Sequence, residues 1–364
     1  MTWIALADTE TQLFSAAGLG ADPTAPDLIG DDDDDLLARG TLVLETGLPE
    51  SNQTHTLFHY NREGDWPFHL SVQAIPGRGM IFVLNQGGTV IHQTMTLPDT
   101  GRIDLLRLSY SWDAPARRAQ LALEQHDREQ VLIQDVADPC PLRIGDLKSL
   151  FHHGSHRFAA PETVFVALSD TVEPIGPLPS MHPETPIATP LGYRPLSTLK
   201  RGDTVINARG EVVPVLQRLT RTVPARGSFS PLCIRSPYFG LDQDIIVAPS
   251  QRLLLSGTEV EYLFGKHAVL ALAYHLTRSR VVTPVPWGPM VTYSQLLLPG
   301  HEAVLAAGSA LESQYIGRLH SKPRLLAASL LCGQERSRLP DHGTLRIPVL
   351  GAFDARVLAE RRAA

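Results

Sequence analysis

Between residues 41 and 168, apolar and polar side chains alternate in short runs, and turn-forming residues separate one run from the next. Phe68, Leu70, Val72 and Ala74 alternate with His69, Ser71 and Gln73. A strand sends successive side chains to opposite faces, so this period of two buries one face and wets the other. Leu106, Leu108, Tyr110 and Trp112 repeat the pattern against Arg107, Ser109 and Ser111. Ala119, Leu121 and Leu123 do so again after the turn Asp113-Ala114-Pro115-Ala116. Shorter runs stand at 80–85, 90–95, 131–134 and 164–168, with turns at Pro76-Gly77, Gln86-Gly87-Gly88 and Pro98-Asp99-Thr100-Gly101. No long helical spacing intervenes. The expected fold is an antiparallel β-sandwich.

The rest of the chain divides around this segment. Residues 1–38 are acidic and rich in small side chains, ending in five aspartates at 31–35, and read as a solvated lead-in. The sandwich is expected over 39–172. Glu173-Pro-Ile-Gly-Pro-Leu-Pro179 holds three prolines and a glycine, the composition of a stiff linker. A second β-domain is expected over 180–318, with strands near 186–189, 204–207, 212–218, 232–235, 245–247 and 251–255. Leu263, Lys266, His267, Leu270 and Tyr274 fall on helical spacing, which predicts a helix over 263–274. Residues 319–364 read as a tail of short helices broken at Pro340 and Pro348. The fold class is therefore all-β, a jelly-roll-like sandwich followed by a second β-domain with a short helical C-terminal tail.

Composition removes several classes of function. Of 364 residues 43% are hydrophobic and 19% charged, enough apolar surface for two cores. No apolar stretch reaches the ~18 residues of a membrane helix. No basic residue precedes Arg39, so a Sec-type leader is not expected, and the address is either cytoplasmic or reached by a leaderless route. Cys140, Cys233 and Cys332 are too few for a disulfide framework or a four-thiolate zinc site. Residues 1–175 carry 25 acids and 11 bases, and residues 176–364 carry 13 and 21, so net charges of −14 and +8 make up the −6 of the chain. The bases are scattered among apolar runs, which argues against nucleic acid and for two domains of opposite sign. The aspartate run lacks the spacing of an EF-hand. A calcium ligand group in the sandwich is the one cofactor left open. His152, His153 and His156 have metal-capable spacing but only the distant Glu162 as a carboxylate, and a loop accounts for them equally well.

Two resemblances follow. Arg107-Leu-Ser-Tyr-Ser-Trp112-Asp113, then Ala119-Gln-Leu-Ala-Leu-Glu124, resembles laminin-G or concanavalin-like jelly rolls. That likeness implies glycan binding, sometimes with calcium, while a spacer without a ligand fits the residues as well. The second half resembles the Hedgehog/intein (Hint) domain in its bacterial form, on four blocks in order. Ser180-Met-His-Pro-Glu-Thr185 leads to Leu199-Lys-Arg-Gly202-Asp203-Thr-Val205. Val247-Ala-Pro-Ser-Gln251-Arg-Leu-Leu-Leu255 follows, then Val291-Thr-Tyr-Ser-Gln295 through Gly300-His301-Glu-Ala-Val, and Gly308-Ser-Ala-Leu-Glu312-Ser313 closes the domain.

The resemblance implies self-cleavage by an acyl shift, in which a first-residue thiol or hydroxyl attacks the preceding carbonyl. A Thr and a His of the second block would polarise the amide and protonate its leaving nitrogen. His301 is retained, and Thr185 is a further position that matches the family site. Ser180 stands where Cys is expected, Ala248 where Thr or Ser is, and Gln251 and Gln295 where His is. Serine can still attack, but an amide cannot exchange a proton near neutral pH. The expected function is a Hint-domain protein whose processing site is degenerate, acting by binding, with turnover on an external substrate not expected. The alternatives are active cleavage between Pro179 and Ser180 by an N-to-O shift, with His182 or His301 as acid–base, and a structural or assembly component.

Overall fold

A computed structural model describes the whole chain except residues 1, 23, 31, 49–52, 77, 78, 97–104, 126–130, 153, 155, 278, 279 and 364. The turns expected at Gly77 and at Pro98–Gly101, with Asp31 and His153, lie outside the described residues. The chain forms two compact units, Met1–Gly176 and Pro177–Ala364.

The first unit is an all-β sandwich. One sheet has seven strands in the spatial order Val131–Val136, Arg118–Gln125, Leu106–Asp113, Arg39–Thr46, Thr163–Ser169, Trp3–Ala7 and Gln12–Phe14. The facing sheet has five, ordered Arg157–Ala159, His55–Arg62, Phe68–Ile75, Gly79–Gln86 and Thr89–Thr96. Every pairing is antiparallel. Leu108, Tyr110, Trp112 and Leu121 of the first sheet share one core with Tyr60, Leu70, Val72 and Phe82 of the second. The rings of Phe82 and Tyr110 meet across the sandwich at 5.1 Å. Gly40 lies opposite Trp112, and a Cβ there would come within 2.8 Å of the indole, so only glycine leaves room for the ring.

Three expectations are corrected here. Residues 1–38 are not a lead-in, because Trp3–Ala7 is an interior strand paired on both sides, with Ile4, Ala5 and Ala7 in the core. Trp-Ile-Ala-Leu-Ala is apolar throughout and so shows no alternation. The aspartates are also engaged. Asp34 pairs with Arg143, Asp33 lies 3.3 Å from Lys148, and the Asp33 and Asp35 carbonyls accept from Gly145 and Ile144 at the start of a helix, Ile144–Phe151. The linker begins later than expected. The Glu173 N–H donates to Thr41 Oγ1 at 2.8 Å, and the Gly176 N–H to Glu124 Oε1 at 2.9 Å.

The second unit is built of short strands. Its largest sheet orders Gly192–Pro195, Pro186–Thr189, Ala303–Ala306, Ser309–Glu312, Arg252–Ser256 and Ala268–Leu272. Gln217–Pro224 pairs with Met290–Leu297, and Leu232–Ile234 lies between Ile245–Val247 and Val282–Pro284. The expected strand over 212–218 is two strands, Val212–Pro214 and the start of Gln217–Pro224. The expected helix over 263–274 is absent. Thr258–Phe264 is helical and stops at Gly265, whose φ of 62° favours glycine. Ala268–Leu272 then forms a strand against Arg252–Ser256, because its apolar run is worth more buried in a sheet than on a half-exposed helix. The tail is part of this unit's core. Leu350, Ala355, Leu358 and Ala359 pack with Val247, Leu253 and Val269, and the helix Ala352–Ala363 closes the chain. No helix among the described residues is long and apolar enough to cross a membrane.

Candidate functional site

Ser180 is held by the backbone on both sides of it. Met181 bridges Val247 and Ser294, and the Met181 and Ser294 N–H groups donate to each other's carbonyls at 3.1 and 2.7 Å. The Ala248 N–H donates to the Ser180 carbonyl at 2.7 Å, and the His182 N–H to the Ile246 carbonyl at 3.0 Å. The segment carrying Ser180 is thus threaded between two strands, and Ser180 is buried. The Gln251 N–H donates to the Ala248 carbonyl, a turn that carries Gln251 back over Ser180.

The side chains form a neutral chain. Ser180 Oγ–H donates to Gln251 Oε1 at 2.7 Å. Gln251 Nε2 donates to the carbonyls of Arg252 at 2.7 Å and Glu312 at 3.2 Å. Gln295 Nε2 donates to the same Glu312 carbonyl at 2.7 Å and lies 3.4 Å from Gln251 Oε1. Gln251 and Gln295 are each at most 3% exposed, so both amides are fixed by bonds that water cannot replace. Gln295 Oε1 and Ser313 Oγ are buried without a hydrogen-bond partner among the described residues, an arrangement that costs stability.

The ionisable groups lie one step farther out. The Glu312 carboxylate accepts from His301 Nε2 at 2.7 Å and sits 3.3 Å from Arg252 Nη1. Beside it is a cavity of about 70 Å³ lined by Asn207, Arg209, His301, Glu302 and Ile347 among others. That space suits a few waters and not a peptide. His301 packs on the ring of Tyr315 at 4.6 Å and makes no bond to Ser180. His182 is turned toward Trp287, ring centroids 5.6 Å apart, and its Nδ1 accepts from the Glu184 N–H at 3.3 Å. Burial holds its imidazole below the ordinary value, with Glu184 opposing the shift. Thr185 is apart as well, its Oγ1 buried and without a hydrogen-bond partner among the described residues.

The structure therefore brings together Ser180, Ala248, Gln251 and Gln295, and leaves Thr185, His182 and His301 outside hydrogen-bond reach of the serine. Chemically, Ser180 has one side-chain partner among the described residues, and that partner is an amide oxygen. It can hold the hydroxyl proton but not accept it. Glu312, which joins the two glutamines to His301, was missing from the expected site. The turn at Ala307-Gly308 has φ of 48° and 89°. A two-residue hairpin there sets Glu312 opposite Ala303, two residues from His301. Among the described residues no group of three His, Cys, Asp or Glu side chains is placed to hold a metal ion.

Residues 179–318 match the family model of the Hint domain, and this segment of the chain is a Hint domain. No curated protein matches the chain. Among solved structures it is similar to the solution structure of a bacterial intein-like domain from Clostridium thermocellum, at 14% identity and TM-score 0.25, covering 38% of this chain and 99% of that one. It is similar to the MchDnaB-1 intein at 14% identity and TM-score 0.25, covering 37% and 99%. It is also similar to the CBM40 of the Ruminococcus gnavus IT-sialidase bound to alpha2,3 sialyllactose, at 14% identity and TM-score 0.28, covering 36% and 76%.

Proposed function

We propose that the Hint domain of this chain keeps the scaffold of self-processing without the cleavage, and that the protein acts by binding through its sandwich. The observation that carries this reading is the Ser180 Oγ–H bond to Gln251 Oε1 at 2.7 Å. Attack on the Pro179 carbonyl needs a base for the hydroxyl proton and an acid for the leaving nitrogen. An amide is neither. Without protonation of the amine the tetrahedral species collapses back to the peptide, and the lost general acid–base help is worth about 10²–10⁴ in rate. The purified chain, incubated with hydroxylamine at neutral pH, should stay a single species of 39.8 kDa by mass spectrometry. Appearance of two pieces, residues 1–179 and 180–364, overturns the reading.

The ligand proposed for the sandwich is carbohydrate. The face of the five-stranded sheet turned away from the shared core sets His59, Val83 and His92 in one cross-strand row, with Ser71 buried among them, and Asn61, His69, Asn85 and Val90 in the next. Imidazole and amide groups match sugar hydroxyls as donors and acceptors, and Trp66 stands exposed on the loop entering the Phe68–Ile75 strand. A glycan array, run with and without calcium, should give hits that His69→Ala together with Asn85→Ala abolishes. No hit in either condition favours a structural role.

A further inference from the structure

The Thr89–Thr96 strand forms one edge of the five-stranded sheet. It pairs with Gly79–Gln86 over all eight residues without a bulge. No backbone hydrogen bond among the described residues reaches its other side. By the alternation of an antiparallel ladder, every second residue therefore points an N–H and a C=O outward. Exposed edges are ordinarily blunted by charge, proline, bulges or short length. The other edges here follow that rule: Gln12–Phe14 and Arg157–Ala159 have three residues each, and Val131–Val136 carries Asp135. Thr-Val-Ile-His-Gln-Thr-Met-Thr has none of these devices, and Val90 on it is 59% exposed.

The strand is also complementary to itself. Ile91, Gln93 and Met95 oppose the core residues Leu84, Phe82 and Met80, so odd positions face the core and even positions face outward. Two antiparallel copies related by a twofold axis at Gln93 keep each residue opposite one of the same face. Ile91 then meets the partner's Met95, apolar against apolar, and His92 meets the partner's Thr94. Gln93 meets the partner's Gln93 in an amide pair. No two like charges oppose each other in this register.

We propose that this edge is a homodimer interface in which two copies of the chain join their five-stranded sheets into one ten-stranded sheet, centred on Gln93. The contact is isologous and closes on itself, so it yields a dimer and not a fibre. Sedimentation of the full chain over micromolar concentrations should show a monomer–dimer equilibrium. Gln93→Lys sets two ammonium groups face to face and should weaken it at least tenfold, with the circular dichroism of the monomer unchanged. Register is tested by disulfide trapping in a Cys332→Ser background. Gln93→Cys should cross-link two chains on mild oxidation, whereas His92→Cys, which faces the partner's Thr94, should not. A chain that stays monomeric overturns the proposal and leaves the edge to a strand from another protein. A dimer indifferent to Gln93→Lys, or one trapped equally well at both cysteines, overturns it too.

Discussion

The Gln251 amide is bonded at both ends, oxygen to Ser180 and nitrogen to two carbonyls. Each of these neutral bonds contributes about 0.5–1.5 kcal/mol. Ser180→Cys with Ala248→Thr and Gln251→His should restore cleavage after Pro179 in the presence of thiols, read as two fragments on a gel. A folded triple variant that stays intact would mean that the scissile carbonyl no longer lies over the site. A second residue carries a pH dependence. His342 is buried with Nε2–H donating to the Leu298 carbonyl at 3.0 Å and Nδ1 accepting from the Ile316 N–H at 3.3 Å. Burial holds its pKa below 6.5, with the Leu298 bond opposing and His301 reinforcing the shift. The unfolded chain thus takes up a proton that the folded chain refuses. Stability should be full above about pH 6.5 and fall as pH drops below that value. Denaturant midpoints at pH 8 and pH 5 should show the loss, and His342→Asn should reduce the difference. At this scale the grouping of 180, 248, 251 and 295 was legible, because the Hint resemblance assigns all four to one site and the structure brings them together. Glu312 was not legible, since its part is played half by a backbone carbonyl, which every residue has.

Strands were read where their two faces differ. The Leu106–Asp113 strand shows a polar row against an apolar one, and Trp112 ends it fully buried, its Nε1–H donating to the Leu37 carbonyl at 3.0 Å and its ring stacked on Tyr110 at 5.5 Å. Removing such a side chain loses transfer energy and leaves a cavity. Trp112→Ala should cost about 3–5 kcal/mol in the sandwich, measured by denaturant unfolding followed in peptides of that unit. A variant with unchanged stability would place the ring outside the core. Elements without such contrast were misread. Trp3–Ala7 is apolar on every position, and Ala268–Leu272 lies within a stretch whose spacing also fits a helix. For the second, pairing with the preceding strand, Arg252–Ser256, decides the outcome, and spacing within 263–274 alone does not reveal it.

Across the whole molecule the order of the two β-domains was legible, because a Pro-rich stretch interrupts the alternation near 173–179. The extent of each was not. Its flanking pieces join the cores through long-range contacts, Ile4 in one and Leu358 in the other. Two separate cores predict that substitutions act on the unit that carries them. Hydrogen exchange should show Trp112→Ala loosening peptides within 1–176, and Leu253→Ala loosening those within 177–364. Spread of either effect through both units would mean one cooperative core. The pairing of Trp3–Ala7 beside Thr163–Ser169 has a further consequence. The Asp170 N–H donates to the Thr2 carbonyl, and the Thr2 N–H to the Asp170 carboxylate, each at 3.1 Å, so the end of Thr163–Ser169 is clasped to the start of Trp3–Ala7. Cut out as residues 2–170, the module has adjoining ends, which can be spliced into a surface loop of another protein, or tied and a new opening cut elsewhere, without stretching the backbone on either side.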